Sequence, residues 1–178
     1  IIFLSDGNDV PAIWEHQVAL MKKGKLDYNN YFTCTREILG SCPLCTYSDE
    51  YGKNWRQKVQ LFTVLDLTPY VSKKTQKQVL YSKKILTAKQ ATSEILMRKY
   101  TNLLDKSMQL RGAQFSVHRG SDKKSANVGT DFEFIKMVDL TKFPPEDIKV
   151  MDLSLLEPNR DLMVRAVERL KGAPETQI

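Results

Sequence analysis

The 178-residue chain has no apolar run near the roughly 20 residues a membrane-spanning helix needs, so membrane insertion is not expected. It has only two histidines, His16 and His118, which leaves almost nothing from which to build a Ser/His/Asp triad. Three cysteines cannot pair off as disulfides without leaving one over, which argues for metal or redox chemistry in a reducing compartment. There is no Gly-rich phosphate loop and no alternation of strand with helix, so a nucleotide-binding α/β fold lacks support. Internal repeats and low-complexity tracts are absent as well. Nor is there an initiator Met. Ile1-Ile2-Phe3-Leu4 already reads as a strand, and the chain is expected to begin inside a longer one.

What is present is ordinary in amount and uneven in place. A 42% hydrophobic and 27% charged composition fits a soluble globular protein, and the length fits one domain with extensions. Residues 51–125 hold 16 Lys and Arg against 4 Asp and Glu, whereas the other 103 residues hold 11 against 17. A basic middle between acidic flanks points to a polyanion partner, because neutralising phosphates with Lys and Arg releases counterions. The competing reading is that these lysines solvate exposed faces.

Short alternating or apolar stretches at 1–4, 13–20, 31–33, 59–67, 79–86, 113–119 and 132–138 predict seven strands in a small barrel or sandwich. Thr87-Ala88-Lys89-Gln90 has the form of a capping box, followed by Ala91, Ile95, Leu96, Tyr100, Leu103 and Leu104 at helical spacing. That helix is expected to plug one end of the barrel. A second helix is predicted from Pro158 in its first turn to Gly172 past its end, with Leu162, Met163, Ala166, Val167 and Leu170 facing inward. Pro144-Pro145 marks the joint between a core at 1–138, carrying a zinc subdomain at about 13–50, and a C-terminal helical extension at 139–178 packed on that core.

Cys42-Pro43-Leu44-Cys45 is a knuckle whose two-residue spacer lets both thiolates point at one ion. Cys34 lies eight residues upstream, close enough to be a third ligand. His16 is the favoured fourth, because a turn at Lys22-Lys23-Gly24-Lys25 would pair its strand with 31–33 and bring it beside Cys34. His118 is the alternative fourth ligand, and a water ligand or three free cysteines are the others. A redox Cys-x-x-Cys needs a thioredoxin-like βαβ setting that is absent here. Three thiolates and an imidazole leave no open position, so one structural Zn2+ is expected and a catalytic one is not.

A sequence-tolerant single-strand binder needs cations interleaved with π-faces. Tyr47, Tyr51, Trp55, Arg56 and Lys58 follow the knuckle directly, and alternation would place Arg56, Lys58, Gln60 and Phe62 on a groove face opposite Val59 and Leu61. Tyr81 with Lys83 and Lys84, and Phe115 with Arg119, repeat the pattern. Lys73, Lys74 and Lys77 sit between strands, and Lys123 and Lys124 sit in the 120–129 loop. For each aromatic the competing reading is core packing. The carboxylates Asp66, Glu94, Asp105 and Asp122 form no spaced pair for acid–base or two-metal work, so an enzyme is not expected.

The order His16, Cys34, Cys42, Cys45, inside Ile2-Phe3-Leu4-Ser5, Trp14-Glu15-His16, Tyr31-Phe32-Thr33-Cys34 and Ser41-Cys42-Pro43-Leu44-Cys45, resembles the zinc-containing core of the single-stranded DNA-binding (helix-destabilising) proteins of tailed bacteriophages. Val64-Leu65-Asp66 looks like that family's central strand. Lys83-Lys84-Ile85 looks like the approach to its helix, and Arg111-Gly112-Ala113-Gln114-Phe115 like its late strand. The resemblance implies a mainly β, OB-fold-like small barrel with helical additions and a structural zinc subdomain. It implies sequence-tolerant single-stranded DNA binding in phage replication, recombination and repair, in the cytoplasm of the infected bacterial host, without enzymatic activity. It further implies replication or recombination proteins as partners and, in the full-length protein, self-association along DNA. The basic N-terminal arm and acidic C-terminal tail typical of the family are not seen in these residues. The alternative is a zinc-stapled scaffold or interaction subunit of a replication or transcription assembly, whose basic surface meets an acidic protein.

Overall fold

A computed structural model describes residues 1–22, 25–118, 131–153 and 158–172. In chain order come strands β1 (Ile2–Phe3), β2 (Ala12–Lys22) and β3 (Lys25–Thr33), then helices α1 (Arg36–Leu39) and α2 (Pro43–Tyr51). Strands β4 (Gln57–Asp66), β5 (Tyr70–Val71), β6 (Gln78–Val79) and β7 (Ser82–Ala88) precede helix α3 (Gln90–Leu104). Strands β8 (Ala113–His118) and β9 (Asp131–Met137) and helix α4 (Arg160–Gly172) complete the order. The protein is mainly β, and its strands pair antiparallel. Each of the seven expected strands is present in whole or part. No helix among the described residues is long and apolar enough to cross a membrane.

Contacts divide the chain into two units, Ile1–Ala12 with Val59–Asp152 and Ile13–Lys58 with Leu153–Ile178. The expected boundary at 138/139 therefore falls inside the first unit. The reason is apolar: Leu140, Phe143 and Ile148 pack on Ile2, Leu4 and Leu65, so this segment belongs to the sheet and not to the helix that follows it.

In the first unit the strand order is β7-β4-β1-β8-β9. β4 is central, and from Leu61 to Leu65 every residue is buried because both faces are covered. Phe62 and Val64 point with Phe3, Phe115 and Phe132 toward Leu96, Tyr100 and Leu103 of α3. Leu65, one position out of phase, joins the other cluster, as a period of two requires. Phe3 meets Phe62 and Phe115 edge-on, with ring centroids at 5.6 and 5.5 Å. Each such ring contributes about 1.5–3 kcal/mol by burial. The expected groove positions Phe62 and Phe115 are thus core residues.

Three further expectations change here. No pairing among the described residues joins β9 back to β7, so the strands do not close into the expected barrel, and α3 covers a sheet face where a plug was predicted. Thr87 is not a cap: it is still in β7, paired with Leu61, and α3 starts after Lys89 without a side-chain cap bond. Strand pairing took the residue that local sequence offered to the helix. Along α3, Leu96, Tyr100 and Leu103 are buried, whereas Ala91 and Leu104 are exposed.

In the second unit β2 and β3 form a hairpin with Glu15 opposite Thr33 and His16 opposite Phe32, shifted by a bulge after Leu20. α4 buries Met163, Ala166 and Leu170 in one cluster with Leu44 and Tyr47 of α2 and with all three cysteines. Leu162, expected to face inward, is 43% exposed, because the i, i+3, i+7 stripe runs through Met163. Asn159 supplies the cap, its Oδ1 accepting from the Leu162 N–H at 3.0 Å, so Pro158 lies just outside the helix.

Candidate metal centre

The β2–β3 hairpin carries His16 to the end of β3, where Cys34 follows with its N–H donating to the Trp14 carbonyl at 2.7 Å. Thr35, buried, donates from Oγ1 to the Ser41 carbonyl at 2.6 Å and so closes the loop holding α1. That closure brings the chain back to Cys42, which occupies the N-cap position of α2, with Pro43 at the first helical position. Pro is suited there because its missing N–H is not required and its φ is already helical. Cys45 sits one turn along the same helix start.

These elements bring His16, Cys34, Cys42 and Cys45 together, all buried, with their ligand atoms within 4.8 Å of one another. Cys34 Sγ is 3.5 Å from Cys45 Sγ, and His16 Nε2 is 3.4 Å from Cys45 Sγ and 3.7 Å from Cys42 Sγ. Four buried donors at these separations are a set able to hold a metal ion. His118 is not among them: it is exposed in β8, its Nε2 within 3.0 Å of Ser116 Oγ.

Burial pushes the Cys42 thiol up, but hydrogen bonds from His16 and from the N–H groups of Cys45 and Thr35 outweigh it and bring it down to about 5. Burial pushes Cys45 up to about 12, helped by its contacts with Cys34 and Cys42. The centre thus places one thiolate readily and charges the next only against it. A cation among the four atoms removes that conflict, since it stabilises every thiolate at once.

Around these four lies a ring of supports that the sequence did not reveal. Asn54 directs its carbonyl at His16 Nδ1 at 2.8 Å, which turns Nε2 toward the cysteines, and Ser48 Oγ donates to the same carbonyl at 2.9 Å. Asn54 holds this pose with a left-handed φ of 60°. Arg56 Nη1 donates to Glu37 Oε1 at 2.7 Å and lies 4.0 Å from Cys34 Sγ, with its guanidinium 4.4 Å from the centroid of the Trp14 ring. Met163 Sδ, from α4, is 3.9 Å from Cys42 Sγ. Only tertiary contact identifies these residues; none has a spacing signature relative to the knuckle.

The expected nucleic-acid residues separate into four groups. Tyr47 is buried, stacked on Tyr51 at 4.6 Å, and is a core residue like Phe62 and Phe115. Tyr81 donates to Asp147 at 2.7 Å and packs edge-on against Phe143, while Lys83 donates to the carbonyls of Glu146 and Lys149, Lys84 pairs with Asp66, and Arg56 is held as described. Tyr51, Trp55, Lys58, Lys73 and Lys74 are exposed. Arg119, Lys123 and Lys124 lie outside the described residues. Compared with protein-family models, with curated proteins and with solved structures, the chain matches none.

Proposed function

We propose that this protein binds single-stranded DNA with little sequence preference, without catalysing a reaction on it, and that its metal centre is one structural zinc ion. The observation that carries the DNA reading is Trp55. The residue is 60% exposed, yet its two neighbours are held: Asn54 through His16, and Arg56 through Glu37, Cys34 and Trp14. Lys53 and Lys58 flank it, both exposed, and Tyr51 is exposed one turn earlier. An aromatic held out to solvent on a rigid turn among cations is the platform on which a base stacks, at about 1–3 kcal/mol per base.

Zinc suits the four donors. At Zn–S of about 2.3 Å and Zn–N of about 2.0 Å, the edges of a tetrahedron come to about 3.5–3.8 Å, and the measured 3.4, 3.5 and 3.7 Å lie close to this. His16, Cys34, Cys42 and Cys45 would fill such a site completely, and the ion would supply cross-linking between the β2–β3 hairpin and α2. The OB-like reading of the first unit belongs to this proposal and is supported by its antiparallel strands with α3 over one face. The setting in phage replication, recombination and repair inside a bacterial host rests on the resemblance of the His/Cys block.

The test is anisotropy titration of labelled oligo-dT and of blunt duplex at two salt concentrations. Oligo-dT is expected to bind more tightly, with affinity falling steeply as salt rises. Trp55→Ala should weaken it by roughly tenfold or more without moving the melting temperature. Tight binding indifferent to salt, or equal affinity for blunt duplex, would sink the reading. The scaffold alternative has one observation in its favour, the exposed apolar pair Ile38 and Leu39 on α1, and it requires no oligonucleotide binding.

A further inference from the structure

β4 and β7 run as a paired ladder up to Asp66 opposite Ser82, and the chain between them then continues as a second, separate ribbon. In that ribbon β5 and β6 pair, among the described residues, only with each other, Tyr70 with Val79 and Val71 with Gln78. Apolar residues are exposed on both of its faces: Tyr70 at 47% and Val71 at 59%, with Leu80 at 63% just beyond. A two-stranded ribbon without a covered face is marginal by itself. This one is held at its tip. The Ser72 N–H donates to the Lys77 carbonyl at 3.0 Å and the Gln76 N–H to the Ser72 carbonyl at 2.8 Å. Ser72 Oγ accepts from the Thr75 N–H, and Gln76 Nε2 donates to the Lys73 carbonyl.

The tip sets Lys73, Lys74 and Lys77 on this defined turn, all exposed, with no ion pair to any of them among the described residues. No Asp or Glu occurs between Asp66 and Glu94. The ribbon is therefore an arm with a cationic tip and apolar flanks, and nothing acidic nearby in sequence competes for its lysines.

The geometry points to this arm as a second contact for nucleic acid, gripping the duplex flank where a single strand meets double-stranded DNA. The inference rests on the single-strand reading above and adds a substrate preference to it. A duplex groove accepts a two-stranded ribbon, which a flexible single strand has no need of. Phosphates line both rims of that groove, where the three lysines of the tip reach them, and apolar side chains on a ribbon can press against base steps or sugars. A lone strand would instead call for several stacked aromatics, and the arm offers Tyr70 alone, since Tyr81 at its base is tied to Asp147 and Phe143.

The experiment uses the full chain and three labelled probes: oligo-dT, blunt duplex, and the same oligo-dT with a duplex at one end. The flanked probe should bind roughly tenfold more tightly than oligo-dT alone. The K73Q/K74Q/K77Q variant should lose that advantage, fall far less on oligo-dT alone than on the flanked probe, and show a salt slope on the flanked probe lower by about 2 to 3. V71S, which leaves the charge intact, should reduce the advantage in part. Absence of any benefit from the flank, or equal loss on both probes in the triple variant, would overturn the arm while leaving single-strand binding in place. Failure of the wild-type chain to bind oligo-dT would remove the reading on which the arm rests. Polyglutamate that competes with the flank advantage no better than any salt of equal ionic strength is expected. Stoichiometric capture of polyglutamate by the arm would assign it to an acidic protein instead.

Discussion

The Nδ1–H of His16 points at the backbone carbonyl of Asn54, 2.8 Å away, and Asn54 presents that carbonyl from a left-handed backbone with φ 60°. Left-handed backbone costs a β-branched residue about 1–2 kcal/mol and costs glycine nothing. Asn54→Val should therefore lower stability by about that much and speed loss of metal to a chelator. Asn54→Gly should keep the metal. Identical release rates for the two variants would show that the carbonyl does not orient the imidazole.

Elemental analysis checks the ligand set directly. One zinc per chain is expected, lost in Cys42→Ser and His16→Ala and retained in His118→Ala. Because the unfolded chain has no preformed site, metal binding on the order of 10 kcal/mol is coupled to folding, and chelation should lower the melting temperature. Full zinc content in His16→Ala would break the assignment.

Arg56 faces the centre with its charge. Three thiolates and a neutral imidazole around a divalent cation leave one negative charge in a buried place, and the guanidinium 4.0 Å from Cys34 Sγ offsets it. Arg56→Gln should accelerate zinc transfer to a chromophoric chelator by roughly tenfold, within the range for outer partners of metal ligands. Arg56→Lys should recover only part, since an ammonium does not reproduce a planar group that bonds Glu37 and covers Trp14 together. Release unchanged in both would mean the contact is incidental.

Asp66 gives stability a pH dependence. Burial raises its carboxyl, but Lys84 and the Thr68 amide and hydroxyl hold it down at about 2, below the usual 3.8. A carboxylate depressed on folding stabilises the protein above its unfolded value, and that stability disappears as pH falls from about 4 through about 2. With Lys84 more than half exposed, the contribution is about 1 kcal/mol. Urea melts of wild type and Asp66→Asn should differ at pH 6 and draw together as pH falls toward 2. A difference as large at pH 2 as at pH 6 would point to packing and not to charge.

Much of this was legible in the residues and some was not, for reasons that can be named. The metal set could be read because cysteine spacing and the short hairpin between His16 and Cys34 act within 30 residues of chain. Phe62 could not be placed by alternation, since alternation separates core from solvent only on a strand with one covered face, and β4 has two. Tyr47 looked available because a helix at 43–51 was not foreseen. On that helix it falls in the cluster with α4, more than 100 residues away, and Tyr51 one turn later does not. Alternation puts Arg56 on a groove face and carries no sign of Glu37, 19 residues earlier, which holds it.

Because each unit is assembled from two separated stretches, with Ile13–Lys58 interrupting the first and Val59–Asp152 interrupting the second, neither can be excised as one continuous fragment. During synthesis the cysteines leave the ribosome long before Met163, Ala166 and Leu170, which complete their apolar surroundings. For that interval the three cysteines lack the part of their apolar cover that α4 supplies.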